Sequence, residues 1–176
     1  MPRIVSTVAI LICFVIPVDS IASSYYQDVT IHESDNSGIS FTINFENIEK
    51  HITYINHDSS VILSKNIVIG LPINTEPIIS NVVAENLRQL PKLDDIEFIT
   101  PTDDLVRIGK VEKIRGKKTV TLGVYPYSDG LYYSQIKIDL KFASNNKTEQ
   151  DFIISPPDPI FDRMMEYTVL NYDQSR

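Results

Sequence analysis

Residues 135–142 read QIKIDLKF, and this stretch decides the fold class of the chain. Its apolar residues are Ile136, Ile138, Leu140 and Phe142, and one polar residue separates each from the next. Successive side chains of a β-strand point to opposite faces of the sheet, so this strand buries one face and exposes the other to water. A strand with one solvated face is typical of an antiparallel sheet.

The same alternation occurs twice more along the chain, and other stretches are apolar and rich in β-branched residues. The sequence Ser128-Asp129-Gly130 lies between two of these stretches and indicates a tight turn, because glycine adopts positive φ at little cost. Short strands separated by turns predict an all-β fold, an antiparallel β-sandwich. The alternating stretches are 39–45 and 120–124, and the apolar ones are 61–71, 77–84 and 105–114.

The C-terminal end of the chain has a different pattern. Pro-Pro-Asp-Pro at 156–159 interrupts the alternation, and Asp158 followed by Pro159 is typical of a helix start. Spacings of three and four then predict one short amphipathic helix over about 159–170. We expect residues 171–176 to form a flexible tail, ending where a further domain is missing. The residues with helical spacing are Ile160, Phe161, Met164, Met165 and Thr168.

The N-terminal end resembles a secretory signal. Arg3 precedes an apolar run over residues 4–18, and Ser20-Ile21-Ala22 then places small residues where signal peptidase reads them. We expect cleavage between Ala22 and Ser23, because the run is shorter than the roughly 20 apolar residues that a membrane anchor needs. This divides the chain into a signal peptide (1–22), a β-sandwich (23–155) and a helix with linker (156–176), secreted to the periplasm, cell surface or medium.

The charge and cysteine content exclude several classes of partner and site. The formal net charge is −7, and it stays the same after cleavage because residues 1–22 carry one basic and one acidic residue. An acidic surface argues against nucleic acid and anionic membrane as partners. Cys13 is the one cysteine and is lost with the signal, which excludes disulfides and thiolate metal sites.

Catalytic and cofactor motifs are missing from the sequence. The mature chain has no thiol and no H-E-x-x-H motif, and its histidines, His32, His51 and His57, are either metal ligands or, as we expect, solvated or hydrogen-bonded surface residues. Glycine-rich phosphate loops and nucleophile elbows are absent as well. We therefore predict a non-catalytic chain without cofactor or metal.

Three groups of residues remain open to two interpretations each. The acidic pairs at 94–95 and 103–104 are either calcium ligands or solvated loop residues. Four tyrosines at 125–133 form either a recognition surface or cross-strand packing. A basic cluster is either a docking face or a charged strand edge that blocks aggregation. The basic cluster consists of Lys110, Lys113, Arg115, Lys117 and Lys118.

Two segments resemble the N-terminal prodomain of gingipain-type cysteine peptidases. In residues 105–142, Arg115-Gly116 ends one strand, Pro126 follows the next, and an alternating strand closes the segment. Residues 161–176 resemble the connection between prodomain and protease, led by Phe161, followed by Asn171-Tyr172 and closed by Arg176. The hairpin at 127–131 is shorter than in the family, and residues 86–104 have no clear counterpart.

The resemblance implies a β-sandwich that assists folding of a following protease and keeps it latent, truncated here before the catalytic domain. Its partner would be the cognate gingipain-like catalytic domain. In Arg- or Lys-specific members a basic residue on a prodomain loop enters the specificity pocket, which here points to Arg88 or Lys92 in the loop 86–104. Arg176 corresponds to the activation cleavage site. The alternative is a free-standing secreted β-sandwich, a binding or adhesion module of the cell envelope.

Overall fold

The computed structural model describes residues 26–55, 60–91, 97–145, 156 and 158–172. Within these ranges the chain forms eleven β-strands, one 3-10 turn over Ile48–His51, and one α-helix, α1 (Pro159–Thr168). The strands are β1 (Val29–Asp35), β2 (Gly38–Asn44), β3 (Ile52–Ile55), β4 (Ser60–Leu63), β5 (Lys65–Leu71), β6 (Thr75–Gln89), β7 (Glu97–Phe98), β8 (Val106–Ile114), β9 (Lys117–Val124), β10 (Tyr127–Ser128) and β11 (Leu131–Ser144).

Two sheets form the body of the molecule. In the first, β1 pairs with β2, β2 with β11, and β11 with both β6 and the short β10, all antiparallel. The second sheet has the order β5-β9-β8 and is also antiparallel. A smaller sheet, β3-β4-β7, includes one parallel pair, β4 with β7.

The hydrophobic core lies between the two main sheets. The apolar face of 135–142 belongs to β11, where Ile136 and Ile138 are fully buried, and Phe41 pairs across from Ile138 on β2. The facing sheet contributes Ile69 and Leu122, which are equally buried in the same cluster. The predicted antiparallel β-sandwich with one short C-terminal helix is therefore confirmed.

The alternating and apolar stretches lie where the sequence predicts strands. The stretches 39–45, 120–124 and 135–142 lie within or at the ends of β2, β9 and β11, and the three apolar runs contribute to β4, β5, β6 and β8. The helix ends at Thr168, two residues earlier than predicted. None of the helices in the described part of the chain has the length and apolarity needed to cross a membrane.

Two tight hairpin turns set the register of their strands. Asp129 and Gly130 join β10 to β11 with φ of 46° and 78°, and Arg115 and Gly116 join β8 to β9 with φ of 51° and 82°. Two successive positive φ values define the type I′ turn, whose twist matches that of the flanking strands. The Ser128–Gly130 turn is thus confirmed, and Arg115-Gly116 is a second turn of the same kind.

Candidate functional site

The segment Asp158–Tyr172 covers one open edge of the sandwich. β5 is an outer strand of its sheet, so one row of its backbone groups is left to other partners. Val68 O accepts from Leu170 N at 2.9 Å, and Val68 N donates to Tyr26 Oη at 3.1 Å. The Tyr26 hydroxyl in turn donates to Thr168 O at 2.6 Å. Together these contacts join the C-terminal segment to β5 and to the start of the first sheet.

Asn171 pairs with β5 as a neighbouring strand would. Its Oδ1 accepts from Gly70 N at 2.7 Å, and its Nδ2 donates to Gly70 O at 3.0 Å. A carboxamide carries both an acceptor and donors, so one side chain satisfies both backbone groups of Gly70. Asn171 is only 5% exposed, and the pair therefore forms away from competing water.

Apolar packing holds α1 against the same strand. Met165, Val169 and Tyr172 form a small buried cluster, and the half-buried side chains of Val68 and Phe161 pack against it. This cluster is separate from the main core, and it stabilises the position of the helix on the sandwich.

A polar contact ties the first turn of the helix to the segment that follows it. The Tyr172 hydroxyl donates to Asp162 Oδ1 at 2.6 Å, while Lys117 Nζ lies 5.4 Å from the Tyr172 ring centroid. The hydrogen bond thereby holds Tyr172 against the helix, and the Tyr172 ring lies close to a cation of β9.

The Arg115-Gly116 turn contacts the first turn of α1. The Arg115 guanidinium donates to the Asp158 carboxylate and lies 5.2 Å from the Phe161 ring centroid. Asp158 also caps the helix, accepting from Ile160 N and Phe161 N at 3.1 Å each. The hydrogen bond from Arg115, followed by those from the helix N–H groups, lowers the pKa of Asp158 below its ordinary value.

The structure thus brings most of the predicted motif together at one place. Arg115, Phe161, Asn171 and Tyr172 lie within or against the segment that covers β5, and Gly116 follows Arg115 in the same turn. The remaining motif residue, Pro126, lies elsewhere. It is buried near the start of β10, and its carbonyl accepts from Tyr133 N at 2.9 Å. Pro126 therefore contributes to the hairpin formed by β10 and β11, which contains Tyr127, Tyr132 and Tyr133.

The expectation of a flexible tail over residues 171–176 is wrong for its first two residues. Asn171 and Tyr172 are 5% and 6% exposed, and both make specific hydrogen bonds. Asn171 is held by its side-chain hydrogen bonds to Gly70, and Tyr172 is held by its apolar contact with Met165. Neither contact produces a periodic pattern in the sequence, so the sequence does not predict them. Arg176 lies outside the described residues, as do Ala22 and Ser23 at the predicted signal cleavage site.

Arg88 lies in a strand, which corrects the predicted loop 86–104. β6 continues to Gln89 because β11 begins at Leu131 and offers backbone partners along its whole length, with Arg88 opposite Tyr132. The Arg88 side chain is half exposed, and its Nη2 lies 3.8 Å from Glu46 Oε1. Lys92, the other candidate for the inhibitory loop, lies outside the described residues.

A buried histidine contact is the feature that sequence reasoning missed. His51 is 6% exposed, its ring packs edge-on against Phe45, and its Nε2 lies 3.2 Å from Asp28 Oδ2. Lys65 Nζ binds the other oxygen of Asp28 at 2.7 Å. Burial lowers the pKa of His51; the nearby Asp28 carboxylate opposes this, and Lys65 and Lys50 add to it. The charge pattern of the sequence contains no signal for this cluster.

The structure describes the tyrosines and His32, but not every acidic pair or histidine that the sequence singles out. Tyr127 lies opposite Tyr132 and stacks on Phe98 at 6.3 Å, which agrees with cross-strand packing. His32 Nε2 lies 2.7 Å from Thr42 Oγ1 on the sheet surface. Residues 94–95 and His57 are outside the described ranges, within which no three acidic, histidine or cysteine side chains are grouped as metal ligands.

The basic cluster does not form one surface. Arg115 is bound to Asp158, Lys118 is buried, and Lys117 lies over the Tyr172 ring. Lys110 and Lys113 are exposed on β8, an outer strand of its sheet. These two lysines therefore fit the interpretation of a charged edge that discourages pairing with another chain.

Comparison with known proteins identifies the fold. No protein-family model matches the chain, and no curated protein matches it either. Among solved structures, it is similar to a chain in the complex of Porphyromonas gingivalis RgpB pro- and mature domains, with a TM-score of 0.54 and 8% identity over 84% of this chain and 97% of that one. A structure on the zymogenic latency of gingipain K from the same organism matches at a TM-score of 0.39 and 12% identity, covering 66% of this chain and 92% of that one. The chain has a gingipain prodomain-like fold.

Proposed function

We propose that this chain is the N-terminal prodomain of a gingipain-like cysteine endopeptidase, which assists folding of the catalytic domain and keeps it latent. The observation that carries the proposal is the gingipain prodomain-like fold, which extends over 84% of the chain. The proposed partner is the cognate catalytic domain, and the chain itself supplies no catalysis. After removal of residues 1–22 it would act outside the cytoplasm, in the periplasm, at the cell surface or in the medium.

The anchoring of the C-terminal segment supports this role. Proteolytic activation at Arg176 would leave Asn171 and Tyr172 bound to the sandwich, because both are buried and hydrogen-bonded. The prodomain would then be released as a folded unit, with the β5 edge still covered and unavailable for aggregation.

Latency requires a group that occupies the active site, and the candidates are Arg88 and Lys92. A cation held in an acidic specificity pocket forms a strong, directed contact. Arg88 is available for this, since its side chain is half exposed and its ion contact with Glu46 is long. A surface contact of that kind is worth at most about 1 kcal/mol, so losing it leaves the fold intact.

The test is inhibition of the catalytic domain encoded in the same reading frame by protein purified from expression of the full chain. We expect sub-micromolar inhibition that weakens by at least about 10-fold in Arg88→Ala or in Lys92→Ala. Arg107→Ala on β8 is the matched control, because it removes an exposed arginine from another strand. Absence of both binding and inhibition would rule out the latency role and leave a folding aid or a free-standing binding module. Absence of an encoded His–Cys peptidase would refute the proposal outright.

A further inference from the structure

Strand β6 has one long edge without a partner strand. It runs over 15 residues, and β11 is its only strand partner in the part of the chain that the structure describes. Such an outer strand presents backbone N–H and C=O groups on which a further strand can pair. Exposed lysines on β8 discourage this in the other main sheet, whereas residues 78–87 of β6 contain one charged residue, Glu85. Of these two outer strands, β6 is therefore the one open to pairing.

Three large apolar side chains of β6 are exposed on the solvent face of the sheet, and we call them the apolar row. Ile78, Val83 and Leu87 are 51%, 36% and 51% exposed. Their opposite residues on β11 lie on the other face of that strand from the buried Ile136 and Ile138. The apolar row therefore lies outside the core, on the strand that forms the edge. The opposite residues are Lys141, Lys137 and Tyr133 respectively.

A β-bulge at Ser80 makes the apolar row symmetric about Val83. The register of β6 against β11 shifts there, so Ser80 has no opposite residue. Measured along β11, Ile78 and Leu87 lie four residues from Val83 in opposite directions, since the opposite residues are numbered 141, 137 and 133. Along β6 itself the two separations are five and four residues, and the bulge removes the difference.

We propose that the β6 edge is a homodimer interface, in which β6 pairs antiparallel with β6 of a second copy about a two-fold axis at Val83. The axis is perpendicular to the sheet, so the solvent face of one copy continues into that of the other. A two-fold interface is self-complementary, because the same surface patch is used by both copies. Val83 then lies opposite Val83 of the second copy, and Ile78 lies opposite Leu87. Apolar side chains meet at three positions, and Glu85 faces the amide of Asn81.

The symmetry of the row favours a second copy over an unrelated strand. An extended segment of another protein would set no requirement that the apolar residues of β6 be equally spaced about one of them. The charges agree with self-pairing, because no two like charges lie directly opposite each other. The two Glu85 carboxylates are separated by four residues along the strands, about 13 Å, which exceeds the Debye length of about 8 Å at physiological ionic strength.

Two irregularities of β6 coincide in this pairing. Asn86 adopts the left-handed conformation, with φ of 58°, and the axis places it beside the Ser80 bulge of the second copy. The ladder is therefore interrupted at matching levels and is regular over Asn81–Glu85 at its centre. The central pairs and the flanking apolar contacts form a small interface, below about 1,200 Å² in total, which is the size of weak complexes. We expect a dissociation constant in the micromolar range.

The first test places a charge on the two-fold axis. Val83→Glu sets two carboxylates directly opposite each other, and like charges in that position destabilise a cross-strand pair. Val111→Glu on β8 is the matched control, because Val111 is also 36% exposed and lies on an outer strand. Sedimentation equilibrium of proteins purified from expression of the full chain, from low micromolar to near-millimolar concentration, measures the association. We expect dimers of the wild type and of Val111→Glu, and a dimer weakened at least about 10-fold in Val83→Glu.

The second test reads the register from a disulfide and does not depend on the charged variant being folded. Directly opposite Cα atoms of an antiparallel pair are about 4.5–5.5 Å apart, which is within the range of about 4.4–6.8 Å that a disulfide spans. In a Cys13→Ser background, which removes the one natural cysteine, Val83→Cys should therefore form a covalent dimer on mild oxidation. Glu85→Cys should not, because its two copies lie about 13 Å apart.

Several results would overturn the dimer. A wild type that stays monomeric over the whole concentration range would do so, as would equal weakening by Val83→Glu and Val111→Glu. Equal cross-linking of Glu85→Cys and Val83→Cys would exclude the axis at Val83. A monomeric wild type whose inhibition of a gingipain-like catalytic domain is lost in Val83→Glu would assign the edge to the peptidase instead. The pairing itself requires no peptidase, so the latency role is decided separately by the inhibition measurement.

Discussion

Replacing Asn171 with alanine tests whether a single side chain closes the β5 edge. The substitution removes the acceptor for Gly70 N and the donor for Gly70 O, which lie at 2.7 and 3.0 Å. Gly70 itself is buried, and the smaller alanine side chain offers neither group a replacement partner. The two backbone groups of Gly70 are therefore left without hydrogen bonds.

The magnitude follows from the burial of the pair. A buried donor or acceptor left without a partner costs about 1–3 kcal/mol, and both groups of Gly70 are affected at once. We expect the free energy of unfolding to fall by about 2–4 kcal/mol. Asn171→Asp should be similarly damaging, because a carboxylate accepts from Gly70 N but faces Gly70 O with a second acceptor.

The assay is urea unfolding, combined with hydrogen exchange of the Gly70 amide. Asn66→Ala is the matched control, since Asn66 is an exposed asparagine of the same strand and its loss should change stability by less than about 0.5 kcal/mol. A loss below about 1 kcal/mol in Asn171→Ala, with Gly70 still protected, would refute the reasoning. Water would then have replaced the carboxamide, and the edge would be covered by the backbone of the segment alone.

Two further predictions concern the buried histidine and a hairpin turn. Lowering the pH from 7.5 to 5.5 is expected to lower the melting temperature, and His51→Gln should remove most of that loss. Burial holds the pKa of His51 below its ordinary 6.5, so below that pH the unfolded chain binds a proton that the folded chain does not. The stability present above pH 6.5 is therefore lost as the pH falls from there towards the lower folded pKa. An unchanged dependence of the melting temperature on pH in the variant would contradict this assignment. Gly116→Ala should lower the free energy of unfolding by about 1–2 kcal/mol because φ is 82°, measured from the urea midpoint. Gly130→Ala is the control for backbone strain alone, because φ is 78° and no atom lies within 4 Å of the added Cβ. Its free energy of unfolding should fall by a similar amount. A clearly smaller fall for Gly116→Ala would contradict the strain argument.

The prediction of the candidate site was partial, for identifiable reasons. The helix start at Asp158 could be predicted, since the cap residue and Pro159 are adjacent in sequence. The resemblance picked out Arg115 and Asn171, but their partners, Asp158 and Gly70, are far away along the chain. The sequence predicts a loop at Arg88, because nothing near it along the chain shows that β11 extends far enough to pair with it.

By itself, the sequence determined the fold class of this protein. Alternation at Ile136, Ile138 and their equivalents on β2 and β9 requires two half-buried sheets, because a period of two leaves one face of each strand in need of an apolar partner. The tertiary structure alone decided that Asn171 would close the edge of β5 and that Ile160 would face solvent while Phe161 faced the sandwich. Those outcomes depend on contacts between residues about 40 to 100 positions apart, such as Arg115 with Asp158 and Asn171 with Gly70. Local periodicity carries no information about pairs at such separations.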